Sequence, residues 1–203
     1  MISLVLIVVS CKHISTDLEE QEEVCINNSS FLFKQLITGD FDGDGVADKM
    51  NEVLFSSIDS QSIDMLPNLD YDSLIMWISQ KEPVLYLKSD NLNIPDLQLT
   101  SQPSFGILWI KNEGDLNQNG RDEISVVIDW ADWSALNHCV IYSLEKDGWR
   151  KWVDFPIREW QIHDNPDFNG FIMMNDKEEY EVLTFDEEGI ETIQKLQHFV
   201  KFQ

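Results

Sequence analysis

Along most of this chain, apolar side chains come in short runs rich in valine, isoleucine and aromatic residues, broken by Gly, Asp, Asn and Pro. β-strands favour such residues, and runs this short rarely make a helix. The pattern predicts strands over 51–56, 73–79 and 83–88, then over 105–110, 124–129, 138–144 and 149–155. The last two are joined by Glu145-Lys146-Asp147-Gly148, where Asp-Gly signals a hairpin. Further strands are expected over 170–174, 179–185 and 191–201, with a turn at Glu187-Glu188-Gly189. The final segment reads equally as a short helix, because Ile193, Leu196 and Val200 suit helical spacing.

Two of the breaks between strands carry chemistry. Asp40-Phe41-Asp42-Gly43-Asp44-Gly45-Val46-Ala47-Asp48 recurs as Asp115-Leu116-Asn117-Gln118-Asn119-Gly120-Arg121-Asp122-Glu123. Each copy has oxygen-bearing side chains at positions 1, 3 and 5, Gly at 6 and a carboxylate at 9, and each follows a glycine, Gly39 or Gly114. A hard cation such as Ca²⁺ takes six to eight oxygens from a tightly curled loop. The predicted ligands are Asp40, Asp42, Asp44, the Val46 carbonyl and Asp48, and then Asp115, Asn117, Asn119, the Arg121 carbonyl and Glu123. Asp122, at position 8, is expected to point away. Solvated Asx turns without a metal are the competing reading. The sequence argues against an EF-hand, which needs Glu at position 12 and flanking helices; Asn51 and Val126 stand there, and the flanks read as strands.

Phe105-Gly106, the strand after it, the Asp115–Glu123 loop and the strand over 124–129 resemble an FG-GAP or VCBS-type repeat. The first copy keeps the loop, with Phe31-Leu32-Phe33 in place of the Phe-Gly pair. The resemblance implies calcium-bearing blades of an integrin-like β-propeller, with the metal loop joining two strands of a blade. It implies little about activity. Repeats are expected over about 31–100 and 104–157, and a degenerate one over 158–203. In the last, Asn165-Pro166-Asp167-Phe168-Asn169-Gly170 keeps the oxygens and the Gly, but Met173 replaces the position-9 carboxylate. Two or three blades cannot close a ring of four to eight. The expected fold is therefore all-β: antiparallel, propeller-like blades packed as a partial propeller or sandwich-like single domain, unless copies associate. With 43% hydrophobic residues, seven Trp and eleven Phe, one domain can bury a sizeable core.

The N-terminus reads differently. Residues 2–9 are apolar and uncharged but too short to span a bilayer. They fit a signal peptide over 1–10. Val8-Val9-Ser10-Cys11 resembles a bacterial lipobox, which implies lipidation of Cys11; a buried strand ending in an ordinary Cys is the alternative. Residues 11–30, with Asp17, Glu19, Glu20, Glu22 and Glu23, read as an acidic tether. An oxidising compartment would let Cys25 and Cys139 pair, although a buried free thiol at Cys139 is equally natural. Export also suits calcium, which is abundant enough outside the cytoplasm to fill weak loops.

A formal net charge of −23 opposes phosphates and anionic membrane surfaces, so nucleic acid is not an expected partner. The four histidines, His13, His138, His163 and His198, have no metal-ligand spacing, and no nucleophile elbow or phosphate loop occurs. Asp129-Trp130-Ala131-Asp132-Trp133 is the one cluster that could bind a sugar ring and carry a carboxylate pair; a plain inter-strand loop is the simpler reading. Trp149, Trp152 and Trp160 are expected as core and blade contacts. The leading functional reading is a calcium-stabilised, lipid-anchored module at the bacterial envelope, binding a protein or glycan. Two alternatives are an extracellular glycan hydrolase or lyase using the Asp129-to-Trp133 loop, and an acidic periplasmic inhibitor or immunity-type protein.

Overall fold

The structure, a computed structural model, describes residues 30–32, 34–164, 168–186 and 188–198. The apolar leader, Cys11 and Cys25 lie outside them, as do residues 165–167 of the degenerate third loop. In order, the chain forms β1 (Ser30–Phe31), β2 (Leu36–Gly39), β3 (Asp48–Ser56), β4 (Gln61–Ser62), β5 (Met65–Leu66), α1 (Tyr71–Gln80), β6 (Pro83–Ser89) and β7 (Leu97–Thr100). There follow β8 (Ser104–Gly114), β9 (Glu123–Trp130), β10 (Leu136–Glu145), β11 (Gly148–Arg158), α2 (Trp160–His163), β12 (Ile172–Met174), β13 (Tyr180–Phe185), β14 (Glu191–Lys195) and a 3₁₀ turn (Leu196–His198).

Three antiparallel sheets succeed one another along the chain, beside a two-residue ladder of β1 on β5. The first has the order β2-β3-β6-β7 with β4 added on β3, the second β8-β9-β10-β11, and the third β12-β13-β14. The second is a four-strand meander, the first follows a similar order with β4, β5 and α1 inserted between β3 and β6, and in each the acidic loop joins the first strand to the second. The all-β, sandwich-like expectation holds.

The second sheet is the middle layer, and the burial of β9 explains its sequence. Glu123 through Ile128 are all buried, because both faces of this strand meet other sheets. A strand covered on both sides carries a continuous apolar run rather than an alternating one. Ile124, Val126 and Ile128 join a core with Met50, Leu54, Leu85 and Leu87 of the first sheet. Val127, Cys139, Ile141 and Phe155 join a second core with Phe171 and Val182 of the third unit. There Trp109 meets Phe171 edge-on at 5.4 Å, and Phe155 meets Phe171 at 6.2 Å. Each buried side chain of this size contributes about 1.5–3 kcal/mol by leaving water.

One expected strand is a helix. Residues 73–79 fall inside α1, whose N-cap is Asp70: its carboxylate accepts the Ser73 backbone N–H at 3.0 Å and the Ser73 hydroxyl at 2.7 Å. That cap satisfies donors which the first turn leaves open. Ile78 is fully buried, with Leu74, Ile75 and Trp77 against the first core. At the C-terminus β14 ends at Lys195 and a single 3₁₀ turn follows, so of the two readings for this segment the strand prevails over 191–195. The expected turn before it closes on Gly189, whose N–H reaches the Asp186 carbonyl at 3.0 Å.

Candidate functional site: two acidic loops and an aromatic pocket

The first loop starts where β2 ends and finishes where β3 begins, so its positions 1 and 9 are held by neighbouring, paired strands. Between them the chain curls around its own carboxylates. Asp40 accepts the Gly43 and Gly45 N–H groups, each at 2.9 Å, Asp42 accepts Asp44 N–H at 3.2 Å, and Asp44 accepts Val46 N–H at 2.8 Å. Asp48, at 7% exposure, accepts Phe41 N–H at 3.1 Å. Phe41 itself is fully buried and meets Trp149 edge-on at 6.1 Å, which fastens the loop to the second unit. The result is a convergence: Asp40, Asp42 and Asp48 each place an oxygen within 4.8 Å of the others. Oxygens sharing one Ca²⁺ at 2.3–2.6 Å lie at most about 5 Å apart, so this donor set fits that ion. Asp44 is not among the converging three. The Asn91 amide, which sequence reasoning did not single out, bridges two of them, reaching Asp42 at 3.0 Å and Asp48 at 2.8 Å.

The second loop repeats the scheme between β8 and β9. Asp115 accepts Asn119 and Gly120 N–H at 2.9 Å, Asn117 accepts Asn119 N–H at 3.0 Å, and Asn119 accepts Arg121 N–H at 2.9 Å. Leu116 N–H reaches Glu123 at 2.8 Å, as Phe41 N–H reaches Asp48. The difference lies at position 9. Glu123 is fully buried, and its oxygens also receive the Asn117 N–H at 3.2 Å, the Asn117 amide at 2.6 Å and the Ser143 hydroxyl at 2.8 Å. Burial pushes its carboxyl up to about 7 despite those donors, with Asp115 adding to the rise. A carboxylate already saturated by four donors has less left for a cation. Arg121 lends its side chain to the Leu144 carbonyl at 2.7 Å.

Comparison with family models, curated proteins and solved structures gives no match. The site is therefore read from its own residues. They show one thing the repeat spacing did not: the loops touch. Asp122 turns away from its own loop, and its carboxylate accepts Asp40 N–H at 3.0 Å while its N–H donates to the Asp40 carbonyl at 2.9 Å. The Asn112 amide holds the same carboxylate at 2.7 Å.

The Asp129-to-Trp133 cluster lies elsewhere, at the far end of β9. It borders an open pocket of about 250 Å³ with Tyr71 and Glu159. Trp130 packs on the first core, whereas Trp133 is 73% exposed. Burial, helped by Glu159 and opposed by His163, pushes the Asp129 carboxyl up to about 6. Of the tryptophans expected as core contacts, Trp149 reaches across to the Pro95 carbonyl at 2.8 Å, Trp152 packs on the second core, and Trp160 meets Phe185 edge-on at 6.2 Å within the third unit. Cys139 is a free thiol in the second core, and burial raises its pKa well above the ordinary value.

Proposed function

We propose that this chain is a calcium-stabilised binding module, lipid-anchored through Cys11 at the bacterial cell envelope, with the first loop as its principal metal site. The convergence of Asp40, Asp42 and Asp48 within 4.8 Å supports the metal reading. Three carboxylates this close repel one another, and a divalent cation turns that repulsion into attraction. The ion's role is structural: it rigidifies the turn between β2 and β3, and Asp122 passes that order to the second loop. The FG-GAP-type reading draws support from placement, since each loop joins the first two strands of an antiparallel sheet. The deciding experiment is native mass spectrometry and thermal melting of the purified protein with Ca²⁺ and with EDTA. One bound Ca²⁺ lost on EDTA treatment, together with a lower Tm, is expected; a Tm indifferent to EDTA and no bound ion would overturn the metal reading. Separately, Cys11→Ala is expected to move the protein from the detergent phase to the aqueous phase.

A further inference from the structure

The pocket beside Trp133 has a lopsided chemistry. Its walls are Tyr71, Asp129, Trp130, Asp132, Trp133 and Glu159, three aromatic rings and three carboxylates, with no Lys or Arg. Its side-chain donors are already engaged within the protein. The Tyr71 hydroxyl donates to the Asp132 carbonyl at 2.5 Å, Trp130 Nε1 to Asn137 at 3.2 Å, and Trp133 Nε1 to Asp72 at 3.1 Å. Ser134 at the rim donates to the Leu136 carbonyl at 3.3 Å.

Acceptors, by contrast, are left over. Among the described residues the Asp129 carboxylate has no hydrogen bond or ion pair, Glu159 takes one bond at Oε1 from Asn137 at 3.0 Å, and Asp132 takes one at Oδ1 from the Ser134 N–H at 2.7 Å. A ligand that fits must therefore bring donors and positive charge. Sugar hydroxyls could donate to these carboxylates, but they bring no positive charge to offset three of them and find few side-chain donors for their own oxygens. A bare metal ion also fits poorly, because these three carboxylates form no cluster within 4.8 Å like that of the first loop. An alkylammonium group has three donors and no acceptor, and it gains further from an aromatic face. The face is ready-made. Trp133 is exposed, yet its indole is pinned by the Asp72 bond and by the Tyr71 ring, edge-on at 4.5 Å. Holding an exposed indole in one orientation reduces the ordering cost of binding against it.

We propose that the pocket formed by Tyr71, Asp129, Trp133 and Glu159 binds a primary alkylammonium group, carried either by a free diamine or by a lysine side chain. The ammonium sits between Asp129 and Glu159, and its alkyl stem lies on the Trp133 ring. None of these residues belongs to either acidic loop, so the inference stands whether or not the loops bind calcium.

The test is isothermal titration of the protein, in 5 mM-scale Ca²⁺ so that any loop sites are filled, with 1,5-diaminopentane, with Nα-acetyl-lysine amide and with N-acetylglucosamine (the calcium level set roughly above the weak-site range). Both amines are expected to bind and the sugar to give no heat. Stronger binding of the lysine amide than of the diamine would identify a protein side chain as the ligand source, and the reverse a free amine. Asp129→Asn and Trp133→Ala are each expected to weaken amine binding at least tenfold, whereas Asp176→Asn, at an exposed acid between β12 and β13 that does not line the pocket, leaves it unchanged. Asp129→Asn adds no volume, so a normal melt for that variant separates ligand loss from misfolding. Equal losses in Asp129→Asn and Asp176→Asn would reduce the effect to the chain's bulk charge, and sugar binding without amine binding would overturn the proposal.

Discussion

Glu52 is the residue whose removal tests the packing of the first sheet on the second. It sits between Met50 and Leu54 on the inward face of β3, at 5% exposure, and accepts two backbone N–H groups at 2.8 Å each: Gln35 beside β2 and Ile107 in β8. Burial raises its pKa, partly offset by those two bonds. Glu52→Ala orphans both donors at roughly 1–3 kcal/mol apiece, reduced by relief of the buried charge, so a net loss of about 3 kcal/mol is expected. In a domain of this size that is roughly 6–12 °C in Tm. Gly106 supplies the internal control. A Cβ at Gly106 would stand 2.4 Å from a Glu52 carboxylate oxygen, and its φ of 125° strains any other residue. Gly106→Ala alone should therefore introduce both the clash and the strain, at a cost of about 2–4 kcal/mol. With Glu52→Ala the clash disappears and only the strain remains. The double mutant should thus be more stable than the two losses added, by about 1–2 kcal/mol in urea melts at pH 7. Strict additivity would refute the contact, and with it this account of how the first two sheets are joined.

Three further outcomes are expected. Asp42→Asn should remove most of the calcium-dependent rise in Tm and Asn119→Ala much less, because only the first loop gathers three carboxylates; equal effects in paired melts with and without EDTA would count against the ranking. Asp129 has a folded-state pKa of about 6 against an ordinary 3.8, so its contribution to stability is present in full below 3.8 and lost as pH rises through about 6. The stability difference between wild type and Asp129→Asn should accordingly shift against wild type across that interval, and a pH-independent difference would show the carboxyl to be unperturbed. In a Cys25→Ser background, Cys139 should resist a thiol reagent until urea opens the second core, since it is fully buried; native-state labelling at the unfolded rate would contradict its place there.

What the sequence made legible was local. The Asp-x-Asp/Asn spacing survives as one hydrogen-bond scheme in both loops, and the apolar runs became the predicted strands of the second sheet, because each pattern is settled within about ten residues of chain. The helix α1 was missed because 73–79 is short and apolar, which suits either element; Asp70 and Ser73, a capping pair, were the available signal. Glu52 was missed for a different reason. It is in phase with Met50 and Leu54, but nothing local says that Gly106 and two backbone amides from other strands await it. The pocket at Trp133 likewise needs Tyr71 from α1 and Glu159 from beyond β11, residues far apart in the chain.

The contact between the loops shows how far one glycine's meaning depends on the fold. Position 4 is Gly43 in the first loop and Gln118 in the second, and both adopt left-handed backbone, with φ of 78° and 61°. Gln118 proves that this turn tolerates a side chain there, so conformation alone does not require Gly43. Packing does. A Cβ on Gly43 would lie 2.8 Å from the backbone oxygen of Gly120, the position-6 glycine of the other loop, and backbone cannot swing aside as a side-chain tip can. The two copies sit in unequal surroundings: the first presses its turn into the second, and Asp122 reaches back to lock Asp40 in place. The first loop is thereby supported by its neighbour while keeping three carboxylates turned to one point, and the second gives its strongest carboxylate, Glu123, to internal bonds. That divergence is what the calcium proposal predicts: the loop with three converging carboxylates would hold the ion, and the loop whose Glu123 is spent on internal bonds would brace it.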